Sequence, residues 1–148
     1  MSIEQMLSGM DISASGLTGE RLRMEVAANN IANMNSTRTA AGGPFQRQQV
    51  TFSAVMNQHV SPEGMSVDEL KGVHVAGITP DNSPGPLIHD PGHPDADSSG
   101  NVRMPNVNLS HEMVDMVTAS RAYEANLKSM ETFRQMAEQA LSLLRGLR

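Results

Sequence analysis

Apolar side chains recur every seven residues at both ends of the chain and lose that rhythm between them. Near the start Ile3, Met10, Leu17, Met24 and Ile31 form one row, with Met6, Ala27 and Met34 three positions after members of it. A repeat of seven with companions at plus three is the seam of a coiled-coil-type helix. The spacing predicts a helix over residues 3–34, with a seam interrupted where Ser13 and Glu20 take the remaining plus-three places. Gly9, Gly16 and Gly19 fall inside it, each less favourable than Ala in a helix interior by about 1 kcal/mol. Such a helix is marginal by itself.

The tail carries a stronger version of the pattern. Leu109, Met116, Tyr123, Met130, Ala137 and Leu144 lie seven apart, and Ala119, Phe133, Ala140 and Leu147 join them at plus three. This predicts one helix from about Ser110 to about Leu144. Ser110 is expected as its N-cap, because a hydroxyl can accept from an unpaired first-turn N–H, and Glu112 and Asp115 suit the positive end of the helix dipole. Arg145 and Gly146 mark a stop. Asn126 interrupts the plus-three row, where a buried amide can fix register.

Between the helices the pattern changes in kind. A GGP turn at 42–44 precedes Val50, Phe52 and Ala54, which alternate as in a half-buried strand, and Lys71 to Thr79 reads as a second strand. From Pro80 to Pro105 the chain carries six prolines, which exclude a long helix and disfavour a central strand. The fold class expected is therefore mainly α with a small β-rich insert. Residues 1–35 and 109–148 form long terminal helices pairing as a coiled-coil-like hairpin, and 36–108 form the insert with its Pro-rich loop. Periodicity alone leaves two readings of the seams: the helices satisfy each other completely, or partner surfaces complete them.

Composition sharpens that choice. In 148 residues there are 12 Met but only three Phe, one Tyr and no Trp, so the chain's own core is limited and its packing adaptable. A formal charge of -5 without a Lys/Arg-rich run argues against nucleic acid and against an anionic membrane surface as partners. With no cysteine, disulfides and thiolate metal sites drop out. The first residues lack a basic region followed by an apolar run, so an ordinary secretory signal is not expected, and no run approaches the roughly 20 apolar residues of a membrane helix.

Candidate chemistry changes little. His89, Asp90, His93, Asp95 and Asp97 lie within nine residues, a density that suits a metal site. Asp95, Asp97, Ser99 and Gly100 even follow the opening of a calcium loop, but Asn106 stands where its bidentate Glu belongs, and Arg103 and Pro105 interrupt it. A punctuated loop whose Asp and Asn side chains bond nearby backbone N–H groups is the reading preferred, with no metal or cofactor. No nucleophile elbow, phosphate-binding loop or HExxH motif is present, so no catalytic residues are assigned and a non-enzymatic protein is expected. Arg121 has only Glu124 at a helical spacing and receives no role.

ANNIANMNSTRT at 28–39 places Asn29, Asn30, Asn33 and Asn35 at the end of an amphipathic helix, where Asn is locally unfavourable. This segment resembles the signature of the bacterial flagellar rod and hook family. Glu112 to Met136, EMVDMVTASRAYEANLKSMETFRQM, resembles the matching terminal segment. HDPGHPDADSSGNVRMPNVN at 89–108, with Asp90, Gly92, His93, Pro94, Asp95, Asp97, Met104, Pro105 and Asn106, is similar to the proximal rod subunits of that family. The resemblance implies a structural rod subunit, exported by the flagellar type III apparatus without a cleaved signal and resident in the periplasmic rod of the basal body. The partners it implies are other rod subunits, the adaptor between rod and membrane ring, and copies of the chain itself. Assembly contacts are expected along Ile3, Met10, Leu17, Met24 and Ile31, and along Met116, Tyr123, Asn126, Met130, Phe133 and Leu144. The alternative is a soluble cytoplasmic helical adaptor.

Overall fold

The computed structural model describes the backbone of residues 3–60 and 66–146, and the side chains of 7–56 and 71–143. In chain order the elements are α1 (Ile3–Ala32), β1 (Gln48–Val60), β2 (Ser66–Pro80), β3 (Leu87–His89), β4 (Asn101–Arg103) and α2 (Leu109–Gly146). β1 pairs with β2, and β3 pairs antiparallel with β4 in the register Leu87 to Arg103, Ile88 to Val102 and His89 to Asn101. Two long terminal helices enclosing a small β insert is thus the architecture expected from the two periodic stretches.

The chain forms two compact units. An end unit comprises Met1–Arg21, Phe52–Ala76 and Ala119–Arg148, and a junction unit comprises Leu22–Thr51 and Gly77–Thr118. In the end unit α1 and α2 run antiparallel where they touch. A methyl group added at Gly9 would stand 2.7 Å from Phe133 Cζ, and one added at Gly16 would stand 2.8 Å from Asn126 Nδ2. One heptad forward on α1 therefore matches one heptad backward on α2. A third helical glycine, Gly19, faces the ring of Phe52 on β1, where a methyl would stand 2.6 Å from Cε1. From β2, Gly72 lies against Ser15 and Ile12 at φ +116, a backbone conformation that side chains rarely adopt. The next residue, Val73, donates its N–H to Ser15 Oγ at 3.1 Å. The interior glycines that weaken α1 as an isolated helix are the places where α2 and β1 approach it.

The junction unit has a different interior. Val26, Ala27, Val102 and Pro105 are its buried apolar side chains among the described residues, and Asn30 and Glu112 are buried just as deeply. α1 ends as Asn33 donates its amide to Asn29 O at 2.9 Å and Ser36 Oγ donates to Asn33 Oδ1 at 3.2 Å, so this Asn-rich stretch supplies its own cap.

Several boundaries differ from expectation for identifiable reasons. α1 stops at Ala32 rather than at 34. The cap of α2 is Asn108, not Ser110: Asn108 Oδ1 accepts from the His111 N–H at 3.2 Å, and Asn108 O from that of Glu112 at 3.1 Å. Asn reaches the first-turn donors at least as well as Ser, and the helix begins one residue earlier for it. Ala54 is exposed, because a two-stranded sheet has no second layer to bury every inward position. The Pro-rich stretch holds two strands of three residues, too short for periodicity to reveal. The side chains of Ile3, Met6, Leu144 and Leu147 lie outside the described residues.

Candidate assembly site: a polar junction and the faces beside it

The junction begins with two amides that act as pieces of backbone. Asn30, 1% exposed, donates through Nδ2 to Gln48 O at 2.9 Å and accepts at Oδ1 from the Gln48 N–H at 2.9 Å, as a neighbouring strand would. Asn106 does the same at the other side of the hairpin base. It accepts from the Arg47 N–H at 2.8 Å and donates to Asp81 O at 2.9 Å, while the Asp81 N–H donates to Arg47 O at 2.7 Å. β1 and β2 are thereby closed at their open end by side chains from α1 and from the segment preceding α2.

Charge completes the junction. The second N–H of Asn30 donates to Glu112 Oε2 at 2.9 Å, and Arg47 Nε donates to Glu112 Oε1 at 2.5 Å. Arg47 Nη2 reaches Asp115 Oδ2 at 3.1 Å, and Arg23 Nη2 reaches Asp115 Oδ1 at 3.0 Å. Glu112 is 1% exposed, so a full carboxylate sits out of water with an amide and a guanidinium as partners. A buried carboxylate is tolerable only when so paired, and the loss of either partner leaves an uncompensated group. The network ties α1, the starts of β1 and α2, and the end of β2. Nothing in its chemistry resembles a nucleophile with a base.

The Asp/His-rich loop between β3 and β4 turns inward on itself. Asp97 Oδ1 accepts the N–H groups of Ser99 at 2.8 Å and Asn101 at 2.9 Å, and these bonds, that of Asn101 foremost, hold its carboxyl below the usual range. Asp90 Oδ1 accepts from the Gly92 N–H at 3.2 Å, and His93 Nδ1 accepts from the Asp95 N–H at 3.1 Å. Asp95 itself takes the Thr37 hydroxyl at 2.8 Å, tying the loop to the turn after α1, with Arg38 Nη1 at 3.6 Å from its other oxygen. Pro94 is exposed. Among the described residues no three His, Asp or Glu side chains converge as a metal site would require. Beyond β4, the Met104 N–H donates to Pro86 O at 2.9 Å, and Pro105 is buried.

Of the residues expected along the seams, Met10, Leu17, Met24 and Ile31 on α1 and Met116, Tyr123, Asn126, Met130 and Phe133 on α2 are all half-buried. Phe133 and Asn126 meet Gly9 and Gly16. More exposed are apolar residues that seam-based inspection passes over: Leu7 and Ile12 on α1, and Met113, Val114, Val117, Leu127, Leu141 and Leu143 on α2. Met113, Leu127 and Leu141 lie fourteen apart, a second row that the sequence does hold, with Ser120 and Arg134 between them. Val114 and Val117 are 64% and 59% exposed, an unusual cost for a chain with so few buried apolar residues. No helix of the described residues is long and apolar enough to cross a membrane.

Comparison with known proteins follows the same two ends. Residues 10–38 match the family described as flagella basal body rod protein, and residues 98–143 match the one described as flagellar basal body rod FlgEFG protein C-terminal. Over nearly the whole chain the sequence is similar to flagellar basal-body rod protein FlgC of several bacteria. The FlgC of Borreliella burgdorferi is 43% identical over 150 aligned positions, covering 95% of this chain and 99% of the relative. That of Aquifex aeolicus is 41% identical over 132, covering 88% and 91%. That of Bacillus subtilis is 38% identical over 145, covering 90% and 95%.

Proposed function

The chain belongs to the FlgC family of flagellar basal-body rod proteins, and we propose that it builds the proximal rod by packing its two terminal helices, as a coiled-coil-like pair, against neighbouring subunits. It is a structural subunit of the flagellar basal-body rod and serves motility in that capacity; no enzymatic role is assigned to it. Residues 1–35 and 109–148 form the axial core in this reading, and 36–108 the insert. The partners are other rod subunits, copies of the chain, and the adaptor between rod and membrane ring. Delivery is by the flagellar type III export apparatus, without cleavage, to the periplasmic rod.

The observation that carries this reading is the surplus of apolar surface on the helices. α2 leaves Met113, Val114, Val117, Leu127, Leu141 and Leu143 exposed while the described residues bury few apolar side chains, Val26, Ala27, Val102, Ala119 and Pro105. Heterologous contacts between such surfaces build open helical assemblies when the rotation between neighbours does not close. A soluble adaptor would gain nothing from that exposure, and the family membership displaces it.

The test is genetic and paired. Met130→Asp places a charge on the half-buried seam, at a cost of about 2 kcal/mol or more, and is expected to stop rod growth and motility. Lys128→Asp, on a side chain 75% exposed, is expected to preserve both. Normal swimming with Met130→Asp would contradict the role of the seam. Export is checked separately by fractionating a strain without a working flagellar export gate, where undiminished periplasmic accumulation would contradict the route.

A further inference from the structure

The contacts between α1 and α2 are of two kinds, one in each unit. Gly9 meets Phe133 and Gly16 meets Asn126 in the end unit, and Asn30 meets Glu112 in the junction unit. The step from 9 to 16 on α1 is matched by an equal step backward on α2, an antiparallel register. The glycine contacts, however, do not define that register uniquely. Were α2 displaced by one heptad, Gly9 would face Asn126 and Gly16 would face Ala119, and both glycines would still have room. A seam of period seven is degenerate in this way, since one heptad looks much like the next.

Only the polar contacts are particular to one alignment, and of these Arg23 to Asp115 is a third exposed on each side, whereas Asn30 to Glu112 is buried. Asn30 is fully buried, and its amide has already spent one N–H and its oxygen on Gln48. The remaining N–H needs an acceptor, and Glu112 in turn needs both that amide and Arg47. A heptad displacement in the same sense would set Asn30 opposite Pro105, which has no side-chain acceptor, and would strip Glu112 of Asn30.

We infer that Asn30 and Glu112, held by Arg47, are the register-determining pair of the helices, whereas the glycines determine only how closely the helices approach. The function of the pair is to fix which exposed residues of α1 and α2 are presented side by side. A one-heptad error would shift one helix past the other by about 10 Å at roughly 1.5 Å per residue, enough to misalign any neighbour seated on both. The inference concerns the chain's own fold and stands or falls independently of the rod reading.

Cross-linking can read the register directly, because the natural chain has no cysteine to interfere. Glu25→Cys is combined with either Val117→Cys, at its level in the register set by Asn30 and Glu112, or Ser110→Cys, one heptad away; all three positions are exposed and lie in the junction unit. To free the connection before α2 from strain, a second copy of residues 109–115 is inserted ahead of Leu109. Two such full-length chains are compared, with Glu112→Ala made in the first copy or in the second. They have equal length and composition.

With a short bis-maleimide the cross-link is expected at Val117→Cys when the downstream copy keeps its Glu, and at Ser110→Cys, made in the downstream copy, when the upstream copy keeps it. A cross-link at the same position in both chains overturns the inference. The unextended chain gives a second reading. Glu112→Leu is expected to raise the Glu25→Cys to Ser110→Cys product several-fold, whereas Glu112→Gln, which keeps one acceptor oxygen where the carboxylate has two, is expected to raise it less. Equal products from Leu and Gln would also overturn it.

Discussion

The two units hold the same pair of helices by opposite means. In the end unit contact is made by removing side chains: Gly9, Gly16 and Gly19 let Phe133, Asn126 and Phe52 approach the α1 backbone. In the junction unit contact is made by satisfying polar groups, and two of the most deeply buried side chains among the described residues, Glu112 and Asn30, bond each other. The first device is non-directional and short of buried apolar area. The second is directional and costly to leave incomplete. The difference teaches that one part of the molecule is specified from within, while the other is completed by what it packs against.

Removing the junction's central acceptor gives the largest expected effect. Glu112→Ala leaves Asn30 with an unmatched N–H and Arg47 with one carboxylate fewer, a loss of about 3–5 kcal/mol by analogy with other broken buried pairs. Against a total stability of about 5–15 kcal/mol this would show in urea denaturation as early unfolding of residues 22–51 and 77–118. Unchanged denaturation would mean that the junction is not the self-sufficient part.

A smaller effect is expected in the end unit from Gly9→Val. The added atoms meet the tip of the Phe133 ring, and overpacking of this kind costs about 1–3 kcal/mol. The loss should appear as a lowered dissociation temperature of isolated basal bodies, with residues 22–51 of the free chain unaffected. Should the junction residues melt with it, the two devices would not be separable.

How much of this was legible from the sequence follows the same division. Heptads located both helices, because side-chain period is a local property; along the rows Ala27 and Ala119 are buried and most other described members half-buried, while Leu109 is exposed. The meaning of the glycines was not legible. A glycine within a helix carries a definite cost in sequence, but its benefit appears only when Phe133 or Asn126 arrives from more than a hundred residues away. Glu112 was read as a favourable charge in the first turn of α2, yet its partners Arg47 and Asn30 stand 65 and 82 residues upstream. The Asn-rich segment was visible through its resemblance to a family, whereas the reason for Asn30, an amide pairing with the backbone of Gln48, required the fold.

The smallest effect concerns acid. Asp97 is held below its ordinary value by the N–H groups of Asn101 and then Ser99, and Asp81 by the hydroxyl and then the N–H of Ser83. A carboxyl whose folded pKa is lowered contributes stability above its unfolded value, here 3.8, and that contribution disappears as pH falls through the lowered values. Asp97 is exposed and Asp81 half-buried, so the change should be confined to local loosening. Amide exchange at Ser99 and Asn101 should quicken on acidification below about pH 4, relative to the intrinsic rate. Asp97→Asn should blunt that response while the junction remains intact.

Hydrogen exchange compared between the free chain and the assembled rod tests the central claim most directly. Forming a helix nucleus and ordering its side chains must be offset by packing, and among the described residues of the end unit Ala119 alone is a buried apolar residue of the core. The free chain should therefore protect amides of α1 and α2 near Asn30 and Glu112 and exchange rapidly over 7–21 and 119–143, with circular dichroism showing less helix than α1 and α2 together would give. In the assembled rod both stretches should be protected. Full and equal protection of both stretches in the free chain would contradict the account, since a helix pair already complete by itself would have no need of neighbours to fold against.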